Sequence, residues 1–132
     1  MKLISNIVIG FALLSLLACE GKTFVTKEIV NNSSYNITFE ITSTNDAVTE
    51  LIVNAKSTGV ISSTTEIGAK KDLEGGCTAS FKQIRSFVPL GRSLSIDPAQ
   101  EEYWKKTTER TKKTPKHFTH ICTLTIEEKH VQ

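Results

Sequence analysis

The sequence predicts an all-β fold, an antiparallel β-sandwich of six or seven strands with one short helix. Three observations lead there. YNITFEIT (35–42) alternates strictly, with Tyr35, Ile37, Phe39 and Ile41 on one face and Asn36, Thr38, Glu40 and Thr42 on the other. That is the pattern of a half-buried strand. HFTHICTLTIE (117–127) repeats the period, placing Phe118, His120, Cys122, Leu124 and Ile126 together and threonines opposite. Turn-forming clusters rich in Asn, Ser, Gly and Pro separate such runs at short intervals, which favours a sandwich, with a small barrel as the alternative.

The elements follow in order. FVTKEIV (24–30) reads as a strand, NNSS (31–34) as a turn, and 35–42 as the second arm of a hairpin. ELIVNA (50–55) is a third, more continuously apolar run, and Val60-Ile61 beside Gly59 starts a short fourth strand. TTEIGAKKDLEGG (64–76) is a polar, glycine-bearing loop. FKQIRSFV and SLSI flank PLGR (89–92), so residues 80–97 read as a second hairpin, since Pro89 cannot sit inside a central strand. DPAQEEYWKKTTERTKK (97–113) reads as the helix: Asp97 is its N-cap, Pro98 its first residue, and Gln100 completes the capping spacing. Its threonines make it a weak one, and Pro115 ends it.

The first eighteen residues differ from all this. Met-Lys is followed by an apolar run from Ile7 to Leu17, with no acidic residue before Glu20. A basic start and an apolar stretch of about 7 to 15 residues make a secretory leader. A membrane span needs roughly 20 apolar residues, more than this stretch offers. A plain leader cut after Ala18 would put the bulky Leu16 three places upstream. Leu16-Leu17-Ala18-Cys19 instead resembles the lipobox of bacterial lipoproteins. The resemblance implies removal of residues 1–18, a diacylglyceryl group on the Cys19 sulfur, and residues 19–23 as a tether to one domain spanning 24–132. One acyl chain holds a membrane only marginally and two or three hold firmly, so the expected state is anchored. The rival is a secreted chain whose Cys19 pairs with another thiol. Glu20 stands where an inner-membrane retention Asp often does, which points to the outer membrane, on either side of it.

Removing the leader from the 132-residue chain leaves 114 residues, enough for a single core. The chain holds 16 Lys and Arg against 14 Asp and Glu, and the leader contributes only Lys2. The mature balance is near neutral and gives no argument for nucleic acid. Beyond Cys19, the cysteines are Cys77 and Cys122. In an oxidising compartment they are disulfide candidates; the alternative is two buried, unpaired thiols. A bridge would close a loop of 46 residues, worth roughly 4 kcal/mol by chain entropy.

EIVNNSSYNITFEI, the central IRSFVPLGRSLSID and the closing HICTLTIEEKHV together resemble small lipoproteins of Bacteroides-type bacteria with a lipobox and an all-β domain. Lys129-His130 after the late Glu pair departs from that pattern. The resemblance implies an immunoglobulin-like sandwich and supplies no activity and no catalytic residues.

Candidate chemistry is thin. His117, His120, Cys77 and Cys122 suggest zinc, yet His117 and His120 are three apart on a strand and face opposite ways. A bridge would use up the thiols, so no metal or cofactor is expected. KKTTERTKKTPKH (105–117) carries Lys105, Lys106, Arg110, Lys112, Lys113 and Lys116 against Glu109. It reads as a solvated helix face, or less readily as a contact surface for the phosphates of lipid A, nucleic acid or acidic glycans. Tyr103 and Trp104 form a sugar-stacking pair or a plug at the end of the core, the second being the commoner use. Phosphate-loop, dinucleotide, serine-hydrolase and zinc-protease motifs are all missing. The carboxylate pairs Glu101-Glu102 and Glu127-Glu128 are adjacent in sequence and do not converge on one bond. The expectation is a non-catalytic envelope module attached to the membrane by its lipid, with a protein or glycan partner. The rival is an inhibitor of a hydrolase such as a lysozyme, acting through Lys70 and Lys71 of loop 64–76.

Overall fold

The computed structural model describes residues 20–132. The expected leader, residues 1–18, and the lipidation candidate Cys19 lie outside the described residues. Seven strands form: β1 (Lys22–Asn31), β2 (Ile37–Ser43), β3 (Val48–Val53), β4 (Ser57–Ile67), β5 (Phe81–Phe87), β6 (Trp104–Arg110) and β7 (His117–Ile126). They make a four-stranded sheet in the order β4-β1-β7-β6 and a three-stranded sheet in the order β3-β2-β5. The arrangement is sandwich-like, with one core.

The alternation read from β2 and β7 places their apolar faces inward. Ile37, Phe39 and Ile41 from β2 join Val53, Ile84, Ile29, Leu124, Ile126 and Trp104 in that core. The outer face of the larger sheet is rich in threonine, as its sequence pattern requires.

Several expectations fail on pairing. β1 and β2 do not form a hairpin; they lie in different sheets. β1 instead pairs antiparallel with β4 and parallel with β7, Lys22 opposite His117 and Asn31 opposite Ile126. The sandwich is therefore mixed rather than purely antiparallel. The cause is Asn31. Its buried amide donates to the Tyr35 and Val53 carbonyls, and its Oδ1 accepts from the Ser33 N–H and hydroxyl. NNSS is thus a turn, but one that carries the chain from one sheet to the other.

β4 is longer than expected and runs on to Ile67 through the start of the predicted loop. Residue Ile61 is the extra residue of a bulge opposite Lys27-Glu28, and it packs against the core. The second hairpin is also absent. β5 forms, whereas Leu94 bridges Val131, and Ser93 exchanges backbone hydrogen bonds with Gln132 at 2.9 Å. The C-terminus takes the place that the other arm of the hairpin would have filled.

The helix over 97–113 is replaced by one 3-10 turn (Glu101–Tyr103) and strand β6. The start signal was sound locally: Asp97 Oδ1 accepts the Ala99 N–H at 2.9 Å. Continuation fails because Trp104 turns inward, donates its indole N–H to the Pro98 carbonyl at 2.8 Å, and pairs opposite Leu124. From there the threonines favour a strand. β6 is an edge strand, and its exposed Lys105, Lys106 and Arg110 are the charges that discourage a further strand from adding.

Candidate functional site

The smaller sheet covers only part of the larger one. Over the rest of the inner face lies the segment 68–80, and the side chains beneath it include polar ones beside Val25 and Cys122. Thr23, Lys27 and His120 are all buried there.

Each is tied to the segment above it. Thr23 Oγ1 donates to the Gly68 carbonyl at 2.6 Å and accepts the Lys70 N–H at 2.8 Å. His120 Nε2 donates to the Lys70 carbonyl at 2.8 Å, which leaves Nδ1 to meet the Thr108 hydroxyl at 2.9 Å. The Lys27 ammonium donates to Ser80 Oγ at 2.6 Å and sits 4.6 Å from the Phe81 ring centroid. Burial lowers the Lys27 pKa, and the nearby Glu101 carboxylate partly offsets that. Cys77 and Cys122 form a disulfide that fastens the middle of the segment to β7.

Glu101 clasps the same segment from outside. Its carboxylate accepts the Cys77 N–H at 2.7 Å and the Thr78 N–H and hydroxyl, both at 2.8 Å. Desolvation pushes its pKa up, but the three hydrogen bonds and Lys27 outweigh it and hold the group below its ordinary value near 4.5. Gly76 makes the approach feasible: a Cβ there would strike that carboxylate, and its φ of 77° suits glycine.

Between this segment and β4 runs a groove, two adjoining recesses of about 240 and 300 Å³ that share Val25, Glu66, Leu73 and Glu74. Val25 and Leu73 give it apolar patches. Ser62, Thr64 and Lys27 line one recess, and Asp72 and Lys70 the other. Hydroxyls and carboxylates beside apolar patches suit a hydroxyl-bearing or cationic ligand. No group of three His, Cys, Asp or Glu positioned to hold a metal occurs among the described residues.

The residues singled out from sequence scatter. Trp104 is buried and filled by structural bonds, 6.0 Å from the Phe81 ring, so it is a core plug and offers no sugar platform. Tyr103 is partly exposed beside it. Lys70 is ion-paired with Glu66 at 2.9 Å, and that partner raises its pKa. Lys71 is exposed. Lys105, Lys106 and Arg110 lie on the β6 edge, while Lys112 and Lys113 sit in the exposed turn between β6 and β7. Sequence reasoning missed Lys27 and Glu101. Lys27 had a signal, since it shares the inward register of Val25 and Ile29. Glu101 had none, because its partners lie 23 and 24 residues away.

Compared with known proteins, the chain matches no family model, no curated protein and no solved structure.

Proposed function

We propose that the protein is a non-catalytic binding or accessory module of the bacterial cell envelope, anchored in the outer membrane by a lipid on Cys19. The observation that carries this reading is the position of β1. It begins at Lys22, three residues beyond the lipobox cysteine, so the first described strand follows directly on the point where the leader would be removed. The groove beside loop 68–80 is the surface best suited to a protein or glycan partner.

The non-catalytic part is supported by how the reactive side chains are used. The sulfurs of Cys77 and Cys122 are joined in the disulfide. His120 spends both ring nitrogens on structural bonds, and Lys27 is held by Ser80 over the Phe81 ring. The immunoglobulin-like reading draws on the division into four and three strands. The placement of β4 beside β1 departs from it, and the disulfide fastens a loop segment where that fold bridges two strands.

The hydrolase-inhibitor reading needs a rigid loop with a free basic side chain. The loop is firmly tied, but Lys70 is held by Glu66, which leaves Lys71 alone. Binding to a panel of lysozymes, with Lys71→Ala as control, tests it directly.

Mass spectrometry of the natively purified chain tests the anchor. The expected product begins at Cys19 and carries diacylglycerol; a retained leader or an unmodified Cys19 would sink the proposal. Cross-linking on intact cells, comparing wild type with Ser62→Trp to fill the groove, tests the partner. Loss of the cross-linked species on filling is expected, and an unchanged pattern removes the groove from the reading.

A further inference from the structure

Residues 110–116, RTKKTPK, carry four cations and no carboxylate. They form the end of β6, the turn into β7 and its approach, and the four basic side chains are exposed. The tether leaves the sandwich against this same turn. Gly21 packs so closely on the Lys116 carbonyl that a Cβ there would overlap it, and its φ of 71° suits glycine. The Lys22 N–H donates to His117 Nδ1 at 2.9 Å, and the Gly21 carbonyl accepts the Gly68 N–H at 3.1 Å. The exit point of the tether is therefore fixed to the base of the basic turn.

Cys19 lies two residues before Gly21, a reach of at most about 7 Å. The Debye length at physiological ionic strength is about 8 Å. A lipid on Cys19 would thus bring this pole of the sandwich within electrostatic range of the bilayer surface. We infer that the turn 110–116, with Lys22, is a membrane-facing surface that engages the phosphates of anionic headgroups and sets the orientation of the domain. The inference rests on the anchored reading above. Ile67 sits beside Lys22 in the β1–β4 register and is 78 % exposed, an apolar side chain among cations, as an interfacial surface requires. Three carboxylates lie at the pole: exposed Glu20 next to Gly21, Glu109 just before the turn, and Glu66, which is already paired with Lys70. The turn 110–116 then faces the membrane.

The test uses the native, membrane-extracted full chain reconstituted in phosphatidylcholine vesicles with or without phosphatidylglycerol. Trypsin cleavage after Arg110, Lys112, Lys113 and Lys116 is followed against Lys56 and Lys129 at the opposite pole. Phosphatidylglycerol should slow cleavage in the turn and leave Lys56 and Lys129 unchanged, and high salt should abolish the protection. Each lysine near an anionic surface contributes about five-fold in partitioning, so Lys112→Gln with Lys113→Gln should expose Arg110 to cleavage again. Equal cleavage on both vesicles, with diacylglycerol present on Cys19 by mass, overturns this inference and leaves the anchored reading standing. A bare Cys19 overturns both. Protection by a soluble acidic peptide in detergent, matching that given by vesicles, would assign the turn to an acidic protein partner and overturn the bilayer assignment.

Discussion

The larger sheet is one set of strands with two inner faces of opposite character. Toward one end, Ile29, Leu124 and Ile126 meet the smaller sheet and are fully buried apolar groups. Toward the other, the same strands present Thr23, Lys27 and His120, equally shielded but capped by a loop. The covering partner explains the difference. A facing sheet offers side chains, and apolar ones pack best; a facing loop offers free backbone groups, which must be hydrogen-bonded when buried. No buried side-chain polar atom among the described residues lacks a partner. The second half thus leans on directed bonds and one covalent link, and the first chiefly on packing, with the Asn31 hydrogen bonds closing its end.

That contrast can be broken most forcibly at the covalent link. Cys77→Ala with Cys122→Ala should cost about 4 kcal/mol by the loop-entropy estimate. Urea denaturation measures the loss, and hydrogen exchange should show it concentrated in 68–80, with β2 and β3 protected until global unfolding. Equal loss of protection in both regions would mean that the two halves are one cooperative unit.

Next comes a matched pair. Leu124→Ala should cost about 3 kcal/mol through the cavity it leaves. His120→Leu keeps the volume but strands the Lys70 carbonyl and the Thr108 hydroxyl, at about 2 kcal/mol. If the leucine were neutral, the loop would be resting on packing after all.

The smallest effect sharpens the picture by pH. Glu101 titrates below its ordinary value near 4.5 in the folded chain. Its contribution is complete above the unfolded value. It is lost as pH falls through the folded one, because the unfolded chain takes up its proton first. Glu101→Gln should cost about 1 kcal/mol at neutral pH, discounted for solvent exposure. It should also flatten the acid limb of stability against pH below about 4.5. An unchanged acid limb would place the acid sensitivity elsewhere.

How much of this was legible depended on what covers each segment. β2 and β7 face an apolar partner on one side and water on the other, and period two survives in the sequence. β6 has an exposed, wholly polar remainder after Trp104, so no alternation marks it, and the real turn at Asp97 was extended into a helix that the Trp104–Leu124 pairing forbids. The partners of β1 could not be read, since pairing with β7 spans 95 residues and no local pattern reports it. The disulfide was a candidate that the geometry realises. Of the groove, Val25 and Lys27 were visible as an inward register, while Glu101 depends wholly on tertiary approach. The basic turn was visible as composition, and its proximity to Gly21 and Lys22 was not.

The parallel pairing of β1 with β7 also governs when the chain can finish folding. The first strand to emerge during synthesis needs the last as a neighbour, and contacts so distant in sequence form late. Until residue 126 has been made, one long side of β1 stays open, with unpaired amides that other chains can join. Synthesis through β7 ahead of folding is the natural order for such a topology, and a fragment truncated before residue 117 would be prone to aggregate.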